Sequence, residues 1–111
     1  MGVTREFRDF IEELLAGFGP VRIKPMFGGA GVYADGVIFA LIADDILHFK
    51  VDDGNRAGFE AEGMSPFVFL GRGKPIATSY WRVPERLLDD PEEIADWARS
   101  ALAAAVRTRQ R

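Results

Sequence analysis

The chain has 111 residues, 48% of them hydrophobic and 28% charged, with a formal net charge of −3 and no cysteine. That length suits one domain with its own core; the missing cysteines exclude disulfide and thiolate chemistry, and the acidic balance argues against a free-standing nucleic-acid binder. No apolar run approaches the roughly 20 residues that span a bilayer. The start, Met-Gly-Val-Thr-Arg-Glu, enters a charged amphipathic pattern without a signal-peptide profile, so a cytoplasmic protein is expected.

The first helix is expected from Thr4 to Phe18. Thr4 is placed as its N-cap, and Phe7, Phe10, Ile11, Leu14, Leu15 and Phe18 recur at helical spacing as one apolar stripe. Gly17 and Gly19-Pro20 end it. A short strand follows from Val21 to Met26. Its Arg22, Lys24 and Pro25 mark it as an edge strand, or one bulged at the proline.

Phe27 then leads into Gly28, Gly29 and Gly31. A phosphate cradle needs its glycines between a strand and a helix. Here they lead into Val32-Tyr33-Ala34, which reads as a strand. The expectation is a structural bend or bulge with close backbone approach; a small-ligand role for the bend is the alternative.

Met26 to Val51 reads as an antiparallel meander folded on tight turns. Asp35-Gly36 is a favoured type I′ pair, and Asp44-Asp45 is a weaker polar pair between apolar runs. Val37 to Ala43 is almost wholly apolar, which suits a central strand buried on both faces. In Ile46 to Val51, Leu47, Phe49 and Val51 share one face, and Ile46, His48 and Lys50 the other.

Asp52 or Asp53 is placed to cap a short helix over Asn55 to Glu62, anchored by Phe59 and ended by Gly63. Phe67 to Leu70 and Ile76 to Val83 read as strands joined by the basic turn Gly71-Arg72-Gly73-Lys74-Pro75. Tyr80 and Trp81 must point to opposite faces, so one is core and the other a candidate contact residue. The last helix starts at Asp90-Pro91-Glu92-Glu93, with Asp at the N-cap, Pro at N1 and Glu at N3. Its apolar stripe is Ile94, Trp97, Ala98, Ala101, Leu102 and Ala105.

Charge is uneven along the chain. Up to Ala98 there are ten basic and 17 acidic residues; from Arg99 onward there are four arginines and no acid. Arg99, Arg107, Arg109 and Arg111 are therefore candidate phosphate contacts, although cations at a helix C-terminus also complement the macrodipole. Catalytic chemistry is not legible. The one histidine, His48, lacks companions for a zinc site, and Ser65, Ser79 and Ser100 have no nucleophile elbow. Neither an enzyme nor a cofactor or metal site is expected.

Taken in order, these residues resemble the N-terminal domain of the TfoX/Sxy family of bacterial competence regulators. The resemblance runs from about Phe7 to Ala104. It is carried by Met26-Phe27-Gly28-Gly29-Ala30-Gly31-Val32-Tyr33, Phe39 to Asp45, Phe49-Lys50-Val51-Asp52, Asn55-Arg56 and Phe59. Further carriers are Gly63-Met64, Pro66-Phe67, Ser79-Tyr80-Trp81, Val83-Pro84-Glu85 and Trp97-Ala98. The resemblance implies an α+β domain, a two-layer sandwich similar to secretion-chaperone-like folds, with an antiparallel sheet. The element order read from the residues, α-β-β-β-β-α-β-β-α, agrees with it. It further implies a regulator of competence-gene transcription that works with a partner such as the cyclic-AMP receptor protein, without catalysis. Such regulators carry a second, helical domain, which is not expected before Arg111.

The expected function is thus a protein-interaction module in transcriptional regulation, with Arg56, Tyr80 and Trp81 as candidate partner contacts. The alternatives are a direct nucleic-acid binder using the C-terminal arginines and a small-ligand sensor. Homodimerisation through an edge strand or an exposed aromatic is open.

Overall fold

The computed structural model describes residues 2–110. In chain order the elements are α1 (Arg5–Leu14), β1 (Arg22–Met26), β2 (Gly29–Ala34), β3 (Val37–Ala43), β4 (Ile46–Lys50), α2 (Arg56–Ala61), β5 (Pro66–Gly71), β6 (Lys74–Arg82), a 3-10 turn (Glu85–Asp89) and α3 (Pro91–Arg109). The fold is α+β in two layers. Six antiparallel strands pair in the order β1-β2-β3-β4-β6-β5. Ile11 and Leu14 of α1, Leu15 just after it, and Ile94, Ala98 and Ala101 of α3 share one core with Ile23, Val32, Ala40 and Phe49 of the strands.

Four hairpins build the sheet, and each turns on two residues with positive φ. These are Phe27-Gly28 (47° and 79°), Asp35-Gly36 (51° and 77°), Asp44-Asp45 (53° and 57°) and Arg72-Gly73 (52° and 79°). Left-handed backbone at both central positions is the type I′ pattern, whose twist matches the flanking strands. Asp44-Asp45 lacks a glycine but has tertiary support. The Asp45 carboxylate accepts hydrogen bonds from the Thr4 backbone N–H and hydroxyl, each at 2.8 Å. The turn is thereby tied to the N-cap of α1, where Thr4 Oγ1 accepts from Phe7 N–H at 3.1 Å.

The first helix is shorter than its stripe suggests. It ends at Leu14, and the N–H groups of Ala16 and Phe18 bond to the carbonyls of Glu13 and Leu15 in a tightened last turn. Phe10 is 41% exposed, so it lies outside the core that the stripe predicted for it.

β3 departs from the expected strand buried on both faces. Val32 pairs with Ala40 but Tyr33 pairs with Ile38, which leaves Phe39 as an extra residue. A bulge breaks the alternation locally, and Phe39 and Ala40 are both fully buried. The Phe39 ring lies 5.1 Å from that of Phe18 and 6.0 Å from that of Phe49. Ile38 and Leu41 are only half-buried. By register they share a face with Tyr33 and His48, away from Ala40 and Phe49.

α3 begins as read: the Asp90 carboxylate accepts from Glu93 N–H at 3.1 Å and Pro91 opens the helix. Its buried stripe is mostly alanine, which lets the helix axis lie close to β3 and β4. The 3-10 turn before it, which buries Leu87, has no strong periodic signature in the sequence.

Candidate interaction surfaces

The β1–β2 turn presents Phe27. Its side chain is 100% exposed and its φ is +47°. Aromatic residues adopt that backbone region at a cost, and nothing around Phe27 buries the ring in return. Beside it lies a cleft of about 500 Å³ lined by Arg8, Ile23, Pro25, Met26, Phe27 and Gly29 among others. The Arg8 guanidinium donates to the Ile23 carbonyl at 3.0 Å and so closes one wall. Of the glycines, Gly28 serves the turn. A Cβ on Gly29 would stand 2.3 Å from the Ile42 carbonyl oxygen, and one on Gly31 2.8 Å from Ile38 Cδ1, so both are close-approach positions. The bulge itself falls at Phe39, not among the glycines.

Tyr80 and Trp81 point to opposite faces, as alternation requires. Trp81 turns inward, its ring 6.3 Å from Phe59, which also stacks edge-on against Trp97 at 4.8 Å. Trp81 therefore packs on the core, while Tyr80 turns to the other face; both are half-buried. Lys50 Nζ sits 5.1 Å from the Tyr80 ring centroid and donates to Ser79 Oγ at 2.5 Å. Burial, with a contribution from Tyr33, pushes the Tyr80 phenol above its ordinary value. Arg56, the third candidate contact, is paired with Asp53 at 2.5 Å.

The C-terminal arginines are not equivalent. Arg99 pairs with Asp96 at 2.6 Å. Arg107 donates through Nε and Nη2 to both oxygens of Asp52, each at 2.7 Å. Asp52 is 8% exposed, so it clamps α3 rather than capping α2. The N-cap of α2 is Asn55, whose Oδ1 accepts from Asp52 N–H at 2.8 Å. Arg109 is exposed in the last turn of α3, and Arg111 lies outside the described residues.

Two further polar features are structural. Arg86 donates to Glu62 and to Glu93, holding the end of α2 against the first turn of α3, and both carboxyls are held below their ordinary values by its hydrogen bonds. His48 is 5% exposed beneath the Phe67 ring, 5.0 Å away, and its Nδ1 has no hydrogen-bond partner. Burial pushes its imidazole below the ordinary value. Among the described residues, no group of three His, Asp or Glu side chains is placed to hold a metal, and no helix is long and apolar enough to cross a membrane.

The β5–β6 hairpin was missed as a surface. β4 pairs with β6 only through Tyr80, Trp81 and Arg82, so the rest of the hairpin runs past the sheet. Val68, Phe69, Leu70 and Ile76 are 49%, 46%, 75% and 43% exposed. The available signal was composition: Pro66 to Gly71 is a strand without one charged residue, on the edge of the sheet.

These features define a small α+β domain that displays apolar residues on two hairpins and uses ionic groups to tie α3 to the loop after β4 and to the end of α2. The chain belongs to the TfoX N-terminal domain family, whose model matches residues 13–105. No curated protein matches the chain.

Proposed function

We propose that this protein is a non-catalytic protein-interaction module in transcriptional regulation, acting through a protein partner rather than by reading DNA. Membership of the TfoX N-terminal domain family supports the regulatory setting. The observation that carries the interaction reading is Phe27, an aromatic side chain wholly in solvent on a left-handed backbone. Solvent gains nothing from either property, whereas a partner that buries the ring would recover its apolar area. The adjoining cleft offers room for a side chain of that partner. Arg99 and Arg107 are already engaged with Asp96 and Asp52, which weakens the case for a phosphate-binding tail. A cytoplasmic location accords with this reading.

The test is affinity capture of the tagged full chain from its own host's lysate, with and without nuclease, beside Phe27→Ala. A transcription component retained after nuclease by the wild type and lost by the variant supports the reading. The cyclic-AMP receptor protein is the first to assay directly with purified components. Partners lost on nuclease treatment, or retained equally by Phe27→Ala, would reject it.

A further inference from the structure

The two edges of the sheet are built differently. β1 carries Arg22, Lys24 and Pro25, the charges and missing donor that discourage pairing with another strand. β5 carries Pro66-Phe67-Val68-Phe69-Leu70-Gly71, with no charge and with Val68, Phe69 and Leu70 in solvent. Its only neighbour in the sheet is β6.

The backbone groups available on that edge follow from the register. Gly71 pairs with Lys74 to close the Arg72-Gly73 turn, Leu70 with Pro75, Phe69 with Ile76 and Val68 with Ala77. The pair that closes a two-residue hairpin exchanges both hydrogen bonds, and hydrogen-bonded pairs then alternate with non-bonded ones. Pro75, which has no N–H, falls at a non-bonded pair, as this phase requires. Gly71 and Phe69 thus address β6, while Val68 and Leu70 turn their N–H and C=O groups outward.

We propose that two copies of this chain associate by antiparallel pairing of β5 with β5 of the second copy, joining their sheets. The pairing that satisfies every outward group sets Val68 opposite the second copy's Leu70, and Leu70 opposite its Val68. Phe69 then faces its own counterpart across the two-fold axis at a non-bonded pair, where side chains approach most closely. The same register carries the basic turn, Arg72 and Lys74, toward the start of the other β5, which the exposed Glu60 precedes; Glu62 is held by Arg86 of its own chain. At each end the acid that favours the arrangement is Glu60, and the uncharged centre of the strand does not oppose it. An isologous contact of this kind closes at two copies. It leaves the Phe27 turn, at the opposite edge of the sheet, untouched.

Sedimentation equilibrium of the full chain from about 1 µM to about 1 mM tests this across the micromolar affinity range. The expected result is a mass rising from one chain to two. Phe69→Lys sets like charges opposite each other and raises Kd by at least about tenfold. Val68→Pro removes an outward N–H, spares the ladder to β6 and has the same effect. Lys24→Ala, on the other edge, leaves Kd unchanged, and circular dichroism confirms that each variant is folded. Because the chain has no cysteine, Phe69→Cys also reads the register. With oxidised glutathione it should form an intermolecular disulfide far faster than Ile76→Cys. A wild type that stays single at every concentration would overturn the proposal and leave the edge to a strand of another protein. So would a dimer that both β5 variants leave intact, or equal cross-linking at the two positions.

Discussion

Arg107 grips both carboxylate oxygens of Asp52 at 2.7 Å, across 55 residues of sequence. The pair ties the last turn of α3 to the loop that leaves β4. Asp52 also accepts from Gly54 N–H at 2.9 Å, and the loop leaves just enough room: a Cβ on Gly54 would stand 2.6 Å from Arg107 Nη2. Arg107→Ala removes the bidentate cation from a buried carboxylate and is expected to lower stability. Arg107→Lys recovers only part of the loss, because an ammonium lacks the planar fork. Urea unfolding at neutral pH checks both. In a double-mutant cycle with Asp52→Asn the two losses should not add.

Phe27→Gly should stabilise the isolated domain by about 1 kcal/mol, because glycine adopts the left-handed region at no steric cost. The same variant should lose the captured partner. Urea midpoints and capture yield, measured on one preparation, test this opposition between stability and binding. A destabilised Phe27→Gly would show that the ring contributes to the fold.

His48 makes stability depend on pH within a definable window. Its folded-state value lies below the ordinary 6.5 because burial disfavours the imidazolium. The neutral ring's contribution is complete above pH 6.5 and is lost as pH falls from there through the depressed value, since the unfolded chain takes up the proton first. Glu62 and Glu93 act lower, because their depressed values lie below 4.5 and their contribution fades only as pH falls beneath it. His48→Phe should therefore flatten the stability profile just below pH 6.5 and leave the steeper acid limb in place. Denaturant titrations at closely spaced pH values separate the two windows.

Phe39 and Phe10 test the core. Phe39 is fully buried between Phe18 and Phe49, so Phe39→Ala should cost about 3–5 kcal/mol. Phe10, on the expected core stripe, is 41% exposed, and Phe10→Ala should cost much less, under about 1 kcal/mol. Equal losses would contradict the burial pattern.

Much of the architecture could be read locally. Asp35-Gly36 announces its turn because both residues tolerate positive φ, and Asp90-Pro91 announces α3 because a cap and a missing donor act within one turn of chain. The element order was legible on the same footing, whereas the family likeness rested on a resemblance carried by the ordered series of motifs. The candidate surfaces were less so. Tyr80 and Trp81 were known to part, but which faced inward depended on Phe59 and Trp97, elements away in sequence.

Sequence by itself determined the strands, the helices and most of their ends, since periodicity and turn chemistry act over a few residues. Only the tertiary structure decided that Phe39 is an extra residue in β3, that Asp52 answers Arg107 and that β5 is left at an edge. Each depends on which distant segment arrives alongside. Pairing register and burial are properties of two segments at once, and no local pattern in either one contains them.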